Sequence, residues 1–564
     1  MVRISEVALL TSASSVAAAF QIPGLDQLPL GPLKPSAGGF QCDLPPAIDP
    51  SGDGLPSAED LFSSSEALKK QVERHAAIVR VPSVSYDDNG EPKEDPRWAP
   101  FWDLHETLAS LYPLLHEKAK LDKINTLGLV YTLQGSNPDL KPTLLAAHQD
   151  VVPVADESTW KHPPFAAVYD GEYLWGRGAS DDKNSLTALL SATETLLAQG
   201  WVPERTLVLA FGFDEECSGH RGAATIADYL LDEYGPDGVA VILDEGGMGL
   251  ARFGDVLYAL PAVTEKGYVE IWLELSVVGG HSSIPFPHTS IGIVSEMVTA
   301  LEAHPAAPSL LRDGPVHRHL QCQTRYSPGA MPRVDELLGR DDLEALSGWL
   351  ADEDRLFQYM IQTSQSVDMI SGGQKINAMP EHVLLGVNYR VAPQDSIPLV
   401  QHNVVKYVND TVNKYGLRLR AYEGDSDYED FLAEDDLAGG SGGTVTPSWE
   451  VDYNGTLTLD ARARTKVAPV TPTEGDVWNV FSGVVQHTFR SAADVVVPVG
   501  EIMTGNTDTR HYQQLSPHIF RFTPHTINGS INIHTIDERI HMGEHMDVVK
   551  FYYNFIRSFD QAEL

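Results

Sequence analysis

Four short stretches carry side chains that can bind cations or move protons, and three of them close an apolar run. Thr143-Leu-Leu-Ala-Ala ends in His148-Gln149-Asp150, Thr206-Leu-Val-Leu-Ala-Phe-Gly-Phe ends in Asp214-Glu215-Glu216, and Val239-Ala-Val-Ile-Leu ends in Asp244-Glu245-Gly246-Gly247. The fourth, Leu174-Trp-Gly-Arg-Gly-Ala-Ser-Asp181-Asp182-Lys183-Asn184, sets paired carboxylates at the head of a helical stretch. Carboxylates at a helix N-terminus can cap it or hold a cation, and for an isolated pair the cap is the commoner role. The company changes that balance. His148, Asp181, Glu216 and Asp244 are an imidazole and three carboxylates that all leave strand ends. Nitrogen and oxygen donors without thiolate suit zinc, cobalt or manganese in a hydrolytic centre rather than a closed cysteine site. Two such ions need a bridging carboxylate and polarise a shared water into hydroxide near neutral pH. Of Glu215 and Glu216 only one is easily a ligand, which leaves the other to take that water's proton and pass it to a leaving amine.

These side chains need a scaffold that brings distant strand ends together. Continuous apolar runs of this length are strands buried on both faces, as in a parallel sheet covered by helices. In open α/β sheets ligands bind at the carboxyl edge of such strands. Helices are expected at 58–78, 100–118 and 185–199. From Gly267 the pattern changes, and 268–276 alternates as a half-exposed antiparallel strand does. It ends at Gly279-Gly280-His281-Ser282-Ser283, followed by a helix at 291–304. Residues 305–368 read as a charged helical insertion. The β pattern resumes at 376–380 and 383–390, then a helix at 398–415 and a strand at 417–422. The acidic, glycine-rich 423–443 reads as a solvated loop. Its Gly439-Gly440-Ser441-Gly442-Gly443 matches a nucleophile elbow in letters only, with no strand before it or helix after it. A helix at 477–490, an apolar run at 495–503, Ile531-Asn-Ile-His534 and a last helix at 546–559 complete the chain. The organisation is an α/β domain at 58–264, an inserted α+β domain at 265–468 and a return to the first at 469–564.

The 564 residues carry a formal net charge of −38, which argues against nucleic acid and anionic membrane partners. Residues 1–20 read as a signal peptide or signal-anchor, and 21–57 as an extended segment rich in Pro and Gly. No other stretch is long and apolar enough to span a bilayer. Sequons at Asn409, Asn454 and Asn528 agree with a secretory route. Three cysteines allow at most one bridge; Cys42 with Cys322 is the pairing considered, with Cys217 a buried thiol. His541 and His545 read as surface residues of a helix start. Thr507-Asp508-Thr509-Arg510 either lines the substrate pocket or caps a turn.

Taken together, His148-x-Asp150, Gly176-Arg177-Gly178-x-x-Asp181-Asp182-Lys183, Glu215-Glu216, Asp244-Glu-Gly-Gly, Gly280-His281-Ser-Ser and Asn388-Tyr389-Arg390 resemble a known family. It is that of the di-zinc metallopeptidases of aminoacylase and glutamate carboxypeptidase type, most similar to the fungal carboxypeptidase S (Gly-X carboxypeptidase) group. The resemblance spans roughly residues 60 to 560. It implies a zinc-exopeptidase-like α/β catalytic domain with a mostly parallel sheet, plus an inserted α+β lid and dimerisation domain. It implies two Zn2+ per subunit, with Co2+ or Mn2+ as substitutes. Asp181 would bridge them, and its peptide bond to Asp182 would be cis; His148 and Asp244 would hold one ion, Glu216 and His534 the other. Glu245 competes with Asp244, which is favoured because it sits at the immediate strand end. Glu215 would be the general base, and Asp150 would orient His148. His281 would reach a partner subunit's site in a homodimer, while Asn377 and Arg390 would hold the substrate's carboxylate.

The implied activity is a zinc-dependent carboxypeptidase acting on short peptides of the Gly-X kind, in a vacuolar or extracellular setting. An N-acyl amino acid hydrolase is the alternative. An inactive metal-stabilised binding protein is opposed by the presence of every ligand and of the Glu215 base.

Overall fold

The three apolar runs form the centre of an eight-stranded sheet because each buries both of its faces. Along the sheet the strands run Lys120–Ile124, Gly128–Leu133, Leu207–Gly212, Thr143–His148, Val241–Asp244, Ile519–Arg521, Ala262–Glu265 and Glu501–Met503. The pairings from Leu207–Gly212 to Ile519–Arg521 are parallel; antiparallel strands extend the near edge. Leu145, Leu209 and Leu243 face a core built with helices Lys183–Ala198, Asp476–Phe489 and Met542–Asp560. Leu144, Val208 and Ile242 face the opposite layer, with Ile226 and Leu230 of helix Ala223–Tyr234. Alternate residues of one run thus serve two cores, which explains why no polar period shows in the sequence. Truncating one of them, as in Leu209→Ala, costs about 2–5 kcal/mol. The computed structural model describes residues 39–434 and 451–564. The expected leader at 1–20 and the glycine run at 439–443 lie outside the described residues.

At Lys266 the chain leaves this sheet and begins a second one, ordered Ser364–Gly372, His382–Val391, Gly267–Ser276, Thr456–Thr465, Arg418–Ala421. Strand Gly267–Ser276 buries Val269, Ile271, Leu273 and Leu275 and turns the intervening residues outward. Helices Ser290–Glu302 and Ile397–Lys414 cover that apolar face. This is the inserted lid.

Three details differ from the sequence reading. The insertion is helical at Pro315–Tyr326, Pro332–Gly339, Leu343–Glu353 and Arg355–Met360, but Ser364–Gly372 is an edge strand. Pairing with His382–Val391 decides its conformation, since its own pattern is mostly exposed. The acidic segment at 423–443, read as a loop, contains helix Ser426–Glu434, whose first turn carries Asp427 and Glu429 where the helix dipole favours them. Finally, the four insertion helices belong to the lid in sequence yet pack against the body. Their core includes Phe40, Met248 and Ile502. His319 pairs with Glu501, and a Cys42–Cys322 disulfide joins the insertion to the segment ahead of the first helix.

Candidate dinuclear metal site

The polar ends of the parallel strands meet at one edge of the larger sheet. His148, 1% exposed, closes strand Thr143–His148. Its Nε2 lies 3.0 Å from Asp181 Oδ1 and 3.7 Å from Glu245 Oε1. His534 Nε2 lies 3.0 Å from Asp181 Oδ2 and 3.1 Å from Glu216 Oε2. Asp181 therefore offers one oxygen to each imidazole, the geometry of a carboxylate shared between two centres. Potential ligand atoms of His148, Asp181 and Glu216, and of His148, Glu215 and Glu245, lie within 4.8 Å of one another.

Local chemistry holds each group in place. Strand Tyr173–Trp175 runs into a turn where a Cβ on Gly176 would meet Val79 and Gly178 has φ +80°. Glu538, fully buried, accepts hydrogen bonds from Gly178 N at 3.0 Å, Ser180 N at 3.0 Å, Asp181 N at 3.2 Å and the Arg177 guanidinium at 2.6 Å. Asp182 then caps helix Lys183–Ala198, its Oδ1 accepting from Ser185 N at 3.3 Å. The cap reading of the Asp-Asp pair thus falls to Asp182, which leaves the Asp181 carboxylate facing the two imidazoles. The Asp181–Asp182 peptide is cis. Asp150, with no exposed surface, accepts from Glu215 N and Glu216 N at 3.1 Å each and from Ser85 Oγ at 2.6 Å. His148 Nδ1 lies 3.1 Å from the Asp150 carbonyl oxygen. A proton on Nδ1, donated there, leaves the Nε2 lone pair for a cation.

Electrostatically the cluster is short of positive charge. Burial pushes Glu215 up to about 8, with the Glu216 charge adding to it against His148 and Arg510. Burial likewise pushes Glu216 up to about 7, Asp244 up to about 6 and Glu245 well above the ordinary carboxylate range. For Asp181 burial acts the same way, but hydrogen bonds from His148 and His534 hold it well below that range. Burial alone would depress His534; its bonds to Asp181 and Glu216 raise it to about 11. Asp244 Oδ2 is buried with no hydrogen-bond partner among the described residues. An oxygen-rich, thiolate-free cluster of raised carboxylates around two imidazoles fits a pair of divalent cations, whose charge would offset the repulsion.

His148, Asp181, Glu216 and His534 converge as the sequence reading expected of them. From the third strand end, however, the carboxylate facing His148 is Glu245. Asp244 stays beside the cluster with Oδ1 accepting the N–H of Glu245 at 2.9 Å. Successive residues at a strand end point to opposite sides, and the backbone turn decides which one enters the cleft. His545, read as a surface residue, is fully buried, hydrogen-bonded to Asn184 at 2.6 Å and stacked on His75. Arg390 reaches the body from the lid: Nη1 donates to Asn506 Oδ1 at 3.2 Å and the guanidinium lies over the Tyr268 ring. His281 and Asn377 sit together on an exposed lid corner, where Ser282 N donates to the Asn377 carbonyl. Sequence reasoning gave no role to Ser85 or Glu538. Glu538 organises a turn about 360 positions away in the chain, which no local pattern marks. Arg510 was left between two roles, and its Nη2 donates to Glu215 Oε1 at 2.9 Å.

An α/β body, an inserted lid and a carboxylate–imidazole cluster at the carboxyl edge of parallel strands define the class of metal-dependent peptidases built on this two-domain plan. Residues 144–558 match the model of peptidase family M20/M25/M40, and the chain belongs to that family. It is 36% identical to carboxypeptidase S of Saccharomyces cerevisiae over 90% of this chain and 88% of that protein. It is 28% identical to the mouse N-fatty-acyl-amino acid synthase/hydrolase PM20D1 over 89% of each. The crystal structure of human carnosine dipeptidase 1 superposes with a TM-score of 0.59 at 12% identity, covering 90% of this chain and 100% of that one. Among the described residues no helix is long and apolar enough to cross a membrane.

Proposed function

We propose that this protein is a zinc-dependent metallocarboxypeptidase that removes the C-terminal residue from short peptides of the Gly-X kind. The observation that carries the reading is Asp181 shared between His148 and His534, with Glu215 beside it and two arginines on the Glu215 side. Two zinc ions, held by His148, Asp181, Glu216, His534 and Glu245, would supply Lewis acidity to water and to the scissile carbonyl. Glu245 is preferred to Asp244 on its 3.7 Å approach to His148.

Glu215 takes a proton from the attacking water and hands it to the departing amine. Asp150 keeps Glu215 and Glu216 at their separate tasks by fixing both backbone N–H groups. Arg390 receives the substrate's free carboxylate, and Asn377 assists from the lid. The partner subunit's His281 steadies the oxyanion in a homodimer formed through the lid. The lid's exposed apolar residues Met369, Ile370, Ile376 and Ile284 favour such a partner surface. The Cys42–Cys322 disulfide and the exposed sequon residues Asn454 and Asn528 favour a secreted or vacuolar glycoprotein.

The second reading, hydrolysis of N-acyl amino acids, draws on the name of the mouse relative. Elemental analysis together with turnover of Gly-Leu-type dipeptides against fatty-acyl amino acids separates the two. Two zinc ions and faster dipeptide cleavage are expected. Faster cleavage of the fatty-acyl substrates sinks the carboxypeptidase reading, and activity that survives complete metal removal sinks both.

A further inference from the structure

The general base proposed above already has a partner, and that partner points to how the enzyme selects its substrate. Arg510 Nη2 donates to Glu215 Oε1 at 2.9 Å, with the two side chains 13% and 11% exposed. The guanidinium is also anchored, its Nε donating to the Thr507 carbonyl at 3.0 Å. The turn that carries it is fastened to the central sheet. Thr507 donates through N–H and hydroxyl to Glu265 Oε1, both at 2.8 Å, and Arg521 Nε donates to Thr509 Oγ1 at 2.9 Å. Glu265 and Arg521 pair at 3.4 Å, and all four residues are buried. A surface turn cap needs no such foundation, so the geometry selects the pocket role for this segment.

The same segment reaches the lid. Asn506 donates to the Lys266 carbonyl at 2.8 Å, at the crossing between the two sheets, and accepts from Arg390 at 3.2 Å. Five residues thus bring the lid arginine and the body arginine to the Glu215 side of the cleft. A guanidinium bound at Oε1 occupies a lone pair there and pins the Glu215 carboxylate towards Arg510, so the base realigns on a water only when that pairing is exchanged. A carboxylate arriving between Arg390 and Arg510 offers the guanidinium an equivalent planar partner, so the pairing that Arg510 gives up at Glu215 is replaced by one to the substrate.

We infer that Arg510 is a positioning and specificity residue: it holds Glu215 Oε1 in the empty enzyme and turns to the substrate's free α-carboxylate, releasing that oxygen as the substrate seats. This rests on the carboxypeptidase reading of the same site. Substrates without a free carboxylate leave the pair in place, so they are discriminated in kcat as well as in KM.

The experiment uses the zinc-loaded full chain with a Gly-X dipeptide and its C-terminal amide, comparing wild type, Arg510→Ala and Arg510→Lys. Wild type is expected to favour the free acid in both parameters. In Arg510→Ala the KM for the free acid rises about 10- to 100-fold, the scale of one charge-assisted contact. The kcat difference between acid and amide collapses to within about threefold. Arg510→Lys, which keeps the charge without the fork, falls between. Equal loss on acid and amide, or an unchanged kcat ratio in both variants with zinc content intact, overturns the inference. Wild type that cleaves neither dipeptide form overturns the underlying carboxypeptidase reading instead, and the two failures are told apart by that control.

Discussion

Replacing Asp150 with Asn keeps size and shape while changing what one oxygen can accept. Oδ1 receives the Glu215 N–H at 3.1 Å and lies 3.3 Å from His148 Nδ1; Oδ2 receives the Glu216 N–H at 3.1 Å and the Ser85 hydroxyl at 2.6 Å. In Asp150→Asn one of these oxygens becomes an NH2 group, and whichever way the amide turns it faces a backbone N–H at donor-to-donor distance. The negative charge that strengthens the remaining contacts is lost as well. A hydrogen bond to a charged acceptor contributes about 1.5–3 kcal/mol, and one such bond is removed while others weaken, so about 3 kcal/mol is at stake. His148 keeps its contact to the residue's own carbonyl, so the loss falls mainly on the turn that separates base from ligand. The expected outcome is a roughly 100-fold fall in kcat/KM or in zinc affinity, shared between them. Dipeptide kinetics on zinc-saturated enzyme, with calorimetric zinc titration, read the two parts. A variant within about threefold of wild type in both would refute the claim that Asp150 organises this turn.

Other substitutions divide the cluster by role. Glu215→Gln should retain zinc by elemental analysis and lose about 100- to 10,000-fold in kcat; loss of metal in that variant would make Glu215 a ligand. Glu245→Ala should drop occupancy towards one zinc while Asp244→Ala keeps two, and the reverse pattern restores Asp244 as the ligand from that strand end. Acid should weaken the fold through its buried histidines. Burial lowers His75 from 6.5 to about 4 and His545 well below 6.5. The unfolded chain binds these protons below 6.5 and the folded chain does not, so stability is full above 6.5 and falls as pH drops towards 4. The slope is up to about 1.4 kcal/mol per pH unit for each histidine. Urea unfolding at pH 7, 6 and 5 should show a shallower decline in His545→Gln than in wild type; an identical slope removes the histidine from the account.

Much of this protein could be read from short range. An apolar run ending in His148, Glu215-Glu216 or Asp244-Glu245 encodes a doubly buried strand and the chemistry at its end, because burial on both faces leaves no polar period to hide the pattern. The alternation at Gly267–Ser276 announced the lid strand for the converse reason, one face being covered and the other exposed. The spacing of Gly176, Gly178, Asp181 and Asp182 likewise reflects a local turn leading into a capped helix. What sequence alone left open depended on directions and partners fixed only by packing. Asp244 and Glu245 are adjacent, and a rotation at the strand end puts Glu245 towards His148. The environment of His545 is set by Asn184 and His75, hundreds of residues away in the chain. The helices after residue 314 carry no mark of the body they rest on, since an amphipathic face records that it is covered and not by what. Arg510 and Glu215 meet across 295 positions of sequence, and only the folded sheet brings that cation to that base.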